Sequence, residues 1–185
     1  MYSILEPFPI PSLPPSRIAP ARLPGICPES TKVLLEVLRE NHEKWHIFLN
    51  EKRFHNHASH HVLALWALGA SANLIQAAYT EAAGSQRPAF PSPEPINSAN
   101  FEEHLGDENY YQAFVQFFEQ ELAQKGFGPT LERYIFAVEA NFSGYNDEAQ
   151  PEMLSRFLAN VLHPMIHVGH GMEFGLPGIL AEGKG

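Results

Sequence analysis

The sequence predicts an all-α protein, a helical bundle of about six or seven helices that follows a proline-rich N-terminal arm. Apolar residues recur at spacings of three and four along most of the chain, as on one face of a helix. No stretch shows the strict alternation of a half-buried strand, and helix-capping residues and glycines bound the periodic segments. With 185 residues the chain can bury one core. We therefore expect two regions, an arm at 1–28 and a helical domain at 29–185.

The arm is crowded with prolines between Pro7 and Pro28. Proline fixes φ and has no backbone N–H to donate, so this region does not continue a helix or a sheet. Two structures fit it: an extended segment wrapped on the surface, and a flexible tail. A ligand for a polyproline-binding module is a weaker interpretation, because only the proline spacing supports it.

Three helices are predicted in the first half of the domain. The first begins at Pro28, since proline suits the first turn, and runs through an apolar stripe to about Leu49. The second begins with Asn56 as its cap and ends at Gly69. The third is capped by Ser71 and ends at Gly84.

Further helices are predicted after a proline-rich loop at 85–99. Asp107 caps a helix that runs to about Lys125. Pro129 starts the next helix, and Pro151 starts the last clear one, which leads into His163. The glycine-rich tail that follows is predicted to turn sharply without a closing helix.

Composition excludes several classes of partner and location. The formal net charge is −9 and no run of Lys or Arg occurs, so nucleic acid and anionic membrane surfaces are poor partners. No stretch of about 18 apolar residues predicts a membrane span, and no signal peptide is evident. Cys27 is the only cysteine, which fits a reducing compartment. We expect a cytoplasmic protein.

Two histidine clusters are the strongest chemical signal, one at residues 55–61 and the other at residues 163–170. Each contains a pair four residues apart, His57 with His61 and His163 with His167. On a helix such a pair lies on one face and can share one metal ion. Two facing helices would supply four nitrogens, so a metal site is expected. A structural polar network and exposed histidines are the alternatives.

Other polar residues are candidates to orient those ligands or to contact a substrate. Pro164 is expected to kink its helix and to redirect His167. His104 is expected at the surface. The candidates are His42, His46, His55, His60, His170 and Glu173.

Several well-known site motifs are absent from the chain, and their absence limits which reactions it could catalyse. No cysteine-based zinc pattern, P-loop or dinucleotide fingerprint occurs. A histidine site with open positions beside many aromatic residues suits O₂ chemistry on a flat apolar substrate. A zinc hydrolase is less favoured, since no general-base carboxylate stands at motif spacing.

These motifs resemble the questin oxidase-like proteins of fungal aromatic-polyketide pathways, and the resemblance runs from about Asn41 to the end of the chain. The matching stretches are Asn41-His42, His46-Ile47-Phe48-Leu49-Asn50, Phe54-His55-Asn56-His57, His60-His61, Leu65-Trp66-Ala67-Leu68-Gly69-Ala70-Ser71, His163-Pro164-Met165-Ile166-His167, Gly171, Glu173-Phe174-Gly175-Leu176-Pro177-Gly178 and Ala181-Glu182-Gly183.

The resemblance implies an oxidoreductase that acts on anthraquinones or related polyketides. It implies either an NADPH-requiring Baeyer–Villiger-type oxidase or a non-haem iron oxygenase. Fe(II) would then bind the residues that match the family motifs, which are His57, His61, His163 and His167. The chain resembles only the N-terminal part of a longer family domain, so a truncated, non-catalytic module with structural histidines is the alternative.

Overall fold

A computed structural model describes residues 5–12, 23–142 and 150–183. This part of the chain contains eight α-helices, isolated β-bridges and no β-strand, which confirms the all-α prediction. A 3₁₀ turn at Glu108–Tyr110 precedes α4, and a π-helical turn at Glu132–Phe136 follows α5. The helices are α1 Pro28–Lys44, α2 Ala58–Ala67, α3 Ala72–Ala83, α4 Tyr111–Lys125, α5 Phe127–Leu131, α6 Met153–Phe157, α7 Ala159–Phe174 and α8 Pro177–Glu182.

The helices enclose two hydrophobic cores, and α8 contributes to both of them. One core lies among α1, α2 and α3 and includes Trp66. The other is built around the aromatic side chains of α4, such as Phe118. From α8, Ile179 packs in the first core and Leu180 in the second. The end of α8 is therefore held between the two cores.

Helix α1 is shorter than the sequence predicts. It ends at Lys44 and not near Leu49, because the following residues are extended and bridge Trp45 to Pro88. His46 thus lies beyond the helix. A helix that ran to Leu49 would have placed His42 and His46 on one face, but the residues after Lys44 take backbone partners near Pro88.

Helix α2 begins one residue after its predicted start, because its cap is His57 and not Asn56. The Asn56 side chain accepts a hydrogen bond from the Ala58 N–H at 2.9 Å and donates one to Asn41 Oδ1, also at 2.9 Å. His57 therefore occupies the cap position. The predicted cap of α3 is confirmed, because Ser71 Oγ accepts from the Leu74 N–H.

Helices α4 and α5 lie close to their predicted positions. Asp107 caps the 3₁₀ turn before α4 and not α4 itself. Gly126 ends α4 with a φ of +77°, a conformation that glycine adopts without steric cost. Helix α5 begins at Phe127, two residues before the predicted Pro129.

The helix predicted from Pro151 into His163 is two helices. Helix α6 ends at Phe157, and within α7 the residues Asn160, Val161 and Leu162 have φ values of +48°, +57° and +66°. The change of direction thus lies just before Pro164 and not at it. Proline disfavours helical backbone in the residue before it and cannot bond to the carbonyl four residues back, so the preceding turn is the weak point.

The expectation of a tail without a closing helix is wrong, because Pro177 starts α8. The arm stabilises this short helix: the Gly178 N–H donates to the Pro7 carbonyl at 2.8 Å, and Phe8, 1% exposed, packs directly on Gly178. Residues 5–12 are therefore packed on the domain, while residues 1–4 and 13–22 of the predicted arm lie outside the described residues. Among the described helices, none is both long and apolar enough to cross a membrane.

Candidate functional site

Histidines of α2 and α7 meet as two pairs. Nε2 of His57 lies 2.7 Å from Nε2 of His163. Nε2 of His60 lies 2.7 Å from Nδ1 of His167. His57 is exposed and His163 half-buried, and we call them the outer pair; His60 is half-buried and His167 fully buried, and we call them the inner pair.

Helix geometry explains why the contacts come as two pairs. His57 and His60 are three residues apart at the start of α2, and His163 and His167 are four residues apart in the regular part of α7. Both spacings place side chains on one helix face. Two facing helices therefore contact each other twice, about one turn apart.

A buried carboxylate anchors the inner pair. Glu182, in the last turn of α8, is 4% exposed. Its Oε2 atom lies 2.7 Å from Nε2 of His167, and its Oε1 atom lies 2.6 Å from Nδ1 of His42 on α1. Nε2 of His42 lies 3.3 Å from Oε1 of Glu119 on α4. The network thus links five helices through side chains alone.

Two neighbouring members of this network, Glu182 and His42, carry opposite charges. Burial would raise the pKa of Glu182, but the hydrogen bonds from His167 and His42 outweigh it and lower that pKa to about 2. Burial would lower the pKa of His42, but Glu119 and Glu182 outweigh it and raise that pKa to about 10. At neutral pH Glu182 is therefore an anion and His42 a cation.

His55, His57 and His60, which lie at or just before α2, are neutral at neutral pH. Burial, reinforced by neighbouring histidines, lowers the pKa of His60 to about 2 and that of His55 to about 3. Burial also lowers the pKa of His57. A neutral imidazole has one N–H and one lone pair, so each of these rings can both donate and accept a hydrogen bond.

His55 connects the histidines to a cavity of about 340 Å³. Its ring stacks on His163 with centroids 4.9 Å apart, and its buried Nδ1 atom has no hydrogen-bond partner in the described part of the chain. Arg53 and Arg156 also border the cavity. Most of the remaining wall is apolar or aromatic, and includes Ile47, Phe48, Tyr111, Phe114, Ile135 and Phe157.

Three of the four predicted metal-binding histidines lie at the cluster, and His61 does not. His61 is exposed, and its side chain has no hydrogen bond or ring contact with other described residues. Because α2 begins at Ala58, it is His60, three residues after His57, that faces α7. The helical pair expected from His57 and His61 is therefore replaced by His57 and His60.

The predicted supporting residues divide into two groups. His42, His55, His60 and His170 lie at the cluster, and the His170 ring stacks on His60 with centroids 4.5 Å apart. His46 lies outside the cluster and stacks on Phe90. Glu173 is exposed, and its side chain has no hydrogen bond or ion pair with other described residues.

Two further residues differ from their sequence-based interpretation. His104, expected at the surface, has a side chain only 12% exposed that stacks on Tyr110 at 3.7 Å. Glu182, the carboxylate at the centre of the network, was not among the predicted site residues. The signal that could have found it is Pro177, a residue typical of a first helical turn, followed by an apolar run that ends in a lone acid.

The donor chemistry of the cluster suits a metal, and its side chains lie in pairs. Neutral imidazoles and a carboxylate are ligands of iron and zinc. Within residues 5–12, 23–142 and 150–183, no group of three or more His, Cys, Asp or Glu side chains is arranged to hold a metal ion. The ring nitrogens face each other in twos, His57 with His163 and His60 with His167.

Comparison with known proteins identifies the family. The sequence model described as questin oxidase-like matches residues 54–183, more than half of the chain, and this range contains both histidine clusters. The chain belongs to the questin oxidase-like family. The resemblance carried by the histidine motifs is confirmed.

Curated relatives of the family agree with this assignment. A Baeyer–Villiger monooxygenase of Aspergillus aculeatus is 32% identical over 169 residues, which cover 88% of this chain and 33% of the relative. An oxidoreductase of Aspergillus parasiticus is 35% identical over 153 residues, which cover 80% of this chain and 29% of the relative. Questin oxidase of Aspergillus terreus is 30% identical over 151 residues, which cover 79% and 32%. The chain spans about a third of the length of these relatives.

Proposed function

We propose that this chain carries the histidine site of an oxidoreductase that oxidises a ring of a flat aromatic polyketide, by Baeyer–Villiger-type oxygen insertion or ring cleavage. One observation carries the proposal: a cavity lined by aromatic side chains is also lined by His55, which stacks on His163 of the histidine cluster. The names of the family relatives supply the reaction class.

The cavity suits an aromatic ligand in size and lining. Its volume of about 340 Å³ lies within the range of small-molecule sites, and aromatic side chains such as Phe114 and Phe157 favour stacking with a planar ring. A hydroxylated quinone has both apolar faces and polar edges. The apolar wall would hold the faces, and the few polar groups would orient the edges.

Three kinds of polar group can orient such a substrate. His55 lines the cavity, and a neutral imidazole can donate a hydrogen bond to a phenolic hydroxyl or accept one from it. Tyr111 is buried, which raises the pKa of its hydroxyl well above the usual range, so it keeps its proton and can donate to a quinone carbonyl. Arg53 and Arg156 border the cavity and can bind a phenolate oxygen.

Two cofactors belong to the proposal. Baeyer–Villiger oxidation places one atom of O₂ in the product and reduces the other to water, so it needs two electrons from a donor such as NADPH. Fe(II) bound by His57, His61, His163 and His167 is supported by the preference of iron for imidazole ligands. His61 lies away from the other three, so the variant His61→Ala tests whether it belongs to the set. We also propose a cytoplasmic location, which the lone Cys27 suits.

Ligand binding tests the proposed cavity. A hydroxyanthraquinone such as questin is titrated into the protein while its visible absorbance is followed. Ala159 borders the cavity and is exposed, so Ala159→Trp should block it. Ala64 is exposed on α2 away from the cavity, so Ala64→Trp is the matched control. We expect binding in the wild type and in the control and its loss in Ala159→Trp. Equal binding by both variants would contradict the proposed site.

Product analysis tests the reaction. Incubation with questin, NADPH and ¹⁸O₂ should give a product that contains heavy oxygen. If the titration shows that questin binds but no product forms, this chain binds the substrate and turnover needs a further part of the polypeptide.

Metal analysis tests the iron proposal. Protein purified without oxygen is compared with its His57→Ala and His61→Ala variants by mass spectrometry. Stoichiometric iron that both variants lose would support the four proposed ligands. Iron lost only in His57→Ala would remove His61 from the set, and a metal-free wild type would contradict iron binding by this chain.

A non-catalytic module is the second candidate, and exposed apolar side chains favour it. They are concentrated between residues 136 and 172, and they include Phe136, Val138, Phe142, Leu158, Val161 and Met172. An exposed apolar surface of this kind promotes association. Light scattering after gel filtration should then find self-association. A monomer that binds a hydroxyanthraquinone would argue against this candidate.

A further inference from the structure

We propose that Arg156 is a specificity-determining residue: its guanidinium group binds a carboxylate on the edge of an aromatic substrate in the cavity. The substrate class is then a flat aromatic polyketide that carries a carboxylate, and not only a neutral quinone. This inference rests on the proposed function, because it concerns a ligand of the same cavity. Two ligands of one shape but different charge test it, so its failure and that of the proposed function are distinguishable.

A backbone carbonyl holds the side chain of Arg156 in one direction. Nε of Arg156, on α6, donates to the Pro151 carbonyl at 2.8 Å. This bond leaves the N–H groups of both Nη atoms available to another acceptor. Two parallel N–H groups of a guanidinium match the two oxygen atoms of a carboxylate, a pairing that a single phenolate oxygen cannot complete. Arg156 is therefore suited to an acid on the edge of the ligand.

Gly106 makes room for this guanidinium at the wall of the cavity. Both residues border the cavity. Gly106 has a φ of +84°, in the region that glycine adopts without steric cost. A Cβ atom there would lie 2.8 Å from Nη1 of Arg156. The absence of a side chain at Gly106 thus lets the charged end of Arg156 lie against backbone that lines the cavity.

The carboxylates that border the cavity already have partners within the protein. Asp107 accepts from a backbone N–H at 2.9 Å, and Glu108 accepts from Arg87 at 3.0 Å. Glu182 is bonded to two histidines. Arg156, by contrast, forms no ion pair with any residue that the structure describes. A carboxylate of the ligand would supply the counter-charge that the protein does not.

Arg53 also borders the cavity, and its surroundings suit this role less well. Its guanidinium carbon lies 6.0 Å from the centroid of the Phe48 ring, the distance of a cation–π contact. Within the described part of the chain, no hydrogen bond fixes the direction of its side chain. Arg156 is therefore the residue to which we assign the carboxylate.

A pair of matched ligands tests the assignment. Anthraquinone-2-carboxylate and anthraquinone-2-carboxamide share one ring system and nearly one shape, but only the first is an anion at pH 7. Each is titrated into the wild type, Arg156→Gln and Lys52→Gln, and calorimetry gives the Kd. Lys52 is exposed and does not border the cavity, so Lys52→Gln is the control that makes the same change in net charge.

We expect the wild type to bind the acid about tenfold more tightly than the amide, because hydrogen bonds between charged groups are the stronger ones. Arg156→Gln should bind both compounds with the affinity of the amide, and Lys52→Gln should keep the preference for the acid. A preference for the acid that persists in folded Arg156→Gln would overturn the assignment.

The wild type alone also decides the question, so the test does not depend on the folding of a variant. Equal binding of acid and amide by the wild type would overturn the inference and leave the proposed cavity in place. Binding of neither compound would overturn both the inference and the proposed cavity.

Discussion

The two histidine pairs join the same two helices at the same 2.7 Å distance, yet they have different surroundings. The inner pair is completed by Glu182, which is buried and ionised, and by the cation on His42. The outer pair is completed by a backbone carbonyl and borders solvent. Distance between the rings is therefore a poor guide to their chemistry, and the third partner of each pair decides it.

This difference suggests a structural role for the inner pair and a chemical role for the outer pair. A network that holds a buried ion pair is costly to disturb, so the inner pair is suited to keep α2, α7 and α8 in register. The outer pair is accessible, and His163 stacks on His55 at the wall of the cavity. We therefore expect substitutions in the inner network to affect stability and substitutions in the outer pair to affect chemistry.

Removing the anchoring carboxylate should have the largest effect. Glu182→Ala removes the carboxylate that bonds to both His42 and His167, so that Glu119 alone remains beside the His42 cation. Breaking a buried charged pair costs about 3–5 kcal/mol. Urea unfolding measures the free energy of unfolding. The matched control is Glu173→Ala, which removes an exposed carboxylate of the neighbouring helix and should change stability by no more than about 0.5 kcal/mol. Equal losses in both variants would contradict the anchoring role.

Separating α8 from α7 should have the next largest effect. In Gly171→Ala the new Cβ would lie 2.8 Å from atoms of Leu180, and overpacking of this kind costs about 1–3 kcal/mol. Gly169→Ala is the control on the same helix, because a Cβ there meets nothing within 4 Å and alanine favours helices by roughly 0.5–1 kcal/mol. We expect thermal unfolding to show destabilisation by the first substitution and slight stabilisation by the second.

A fall in pH should lower the free energy of unfolding before any carboxylate becomes protonated. The folded pKa values of His55 and His60 are about 3 and 2, below the ordinary 6.5, so below pH 6.5 the unfolded chain binds protons that the folded chain does not. Stability is then lost as pH falls, by about 1.4 kcal/mol per pH unit for each such histidine.

The window between pH 6.5 and 5 isolates this effect. Because the pKa of His42 is raised to about 10, its contribution is complete below pH 6.5 and is lost progressively between pH 6.5 and 10. Because the pKa of Glu182 is lowered to about 2, its contribution is lost only as the pH falls below 4.5. Unfolding in urea at pH 6.5 and pH 5 gives the slope, and His60→Gln should flatten it. A free energy of unfolding that is equal at the two pH values would contradict buried neutral histidines.

Disrupting the outer pair should have the smallest effect on stability. His57 is exposed, so His57→Ala should lower the free energy of unfolding by less than about 1 kcal/mol, a size usual for exposed sites. In His60→Ala we expect a larger loss, because the buried Nδ1 of His167 loses its hydrogen-bond partner. Urea unfolding of the two variants side by side checks the order. The reverse order would mean that the outer pair supports the fold.

Sequence reasoning predicted those elements whose signals are local. The cap of α3 at Ser71 and the end of α4 at Gly126 were correct, because the residues that specify them are adjacent in the chain. The end of α1 and the existence of α8 depend on distant partners, Pro88 for Trp45 and Phe8 for Gly178. Such contacts leave no periodic pattern in the sequence.

The site was predicted in part for the same reason. Histidine spacing placed His57, His163 and His167 in one site, and the structure brings them together. The choice of His61 over His60 depended on where α2 begins, and its cap is one residue later than predicted. Glu182 reaches the site only through the packing of α8, and a helix of six residues carries a weak signal of its own.

Hydrogen–deuterium exchange at the carbon between the two ring nitrogens is the measurement that most directly tests the difference between the pairs. Mass spectrometry reads this exchange for each histidine, and its rate depends on solvent access and on the population of the protonated ring. We expect His57 and the exposed His61 to exchange roughly tenfold or more faster than His60 and His167. Equal rates for His57, His60 and His167 would show that the inner pair is neither buried nor held in one state, and would contradict the central role of Glu182.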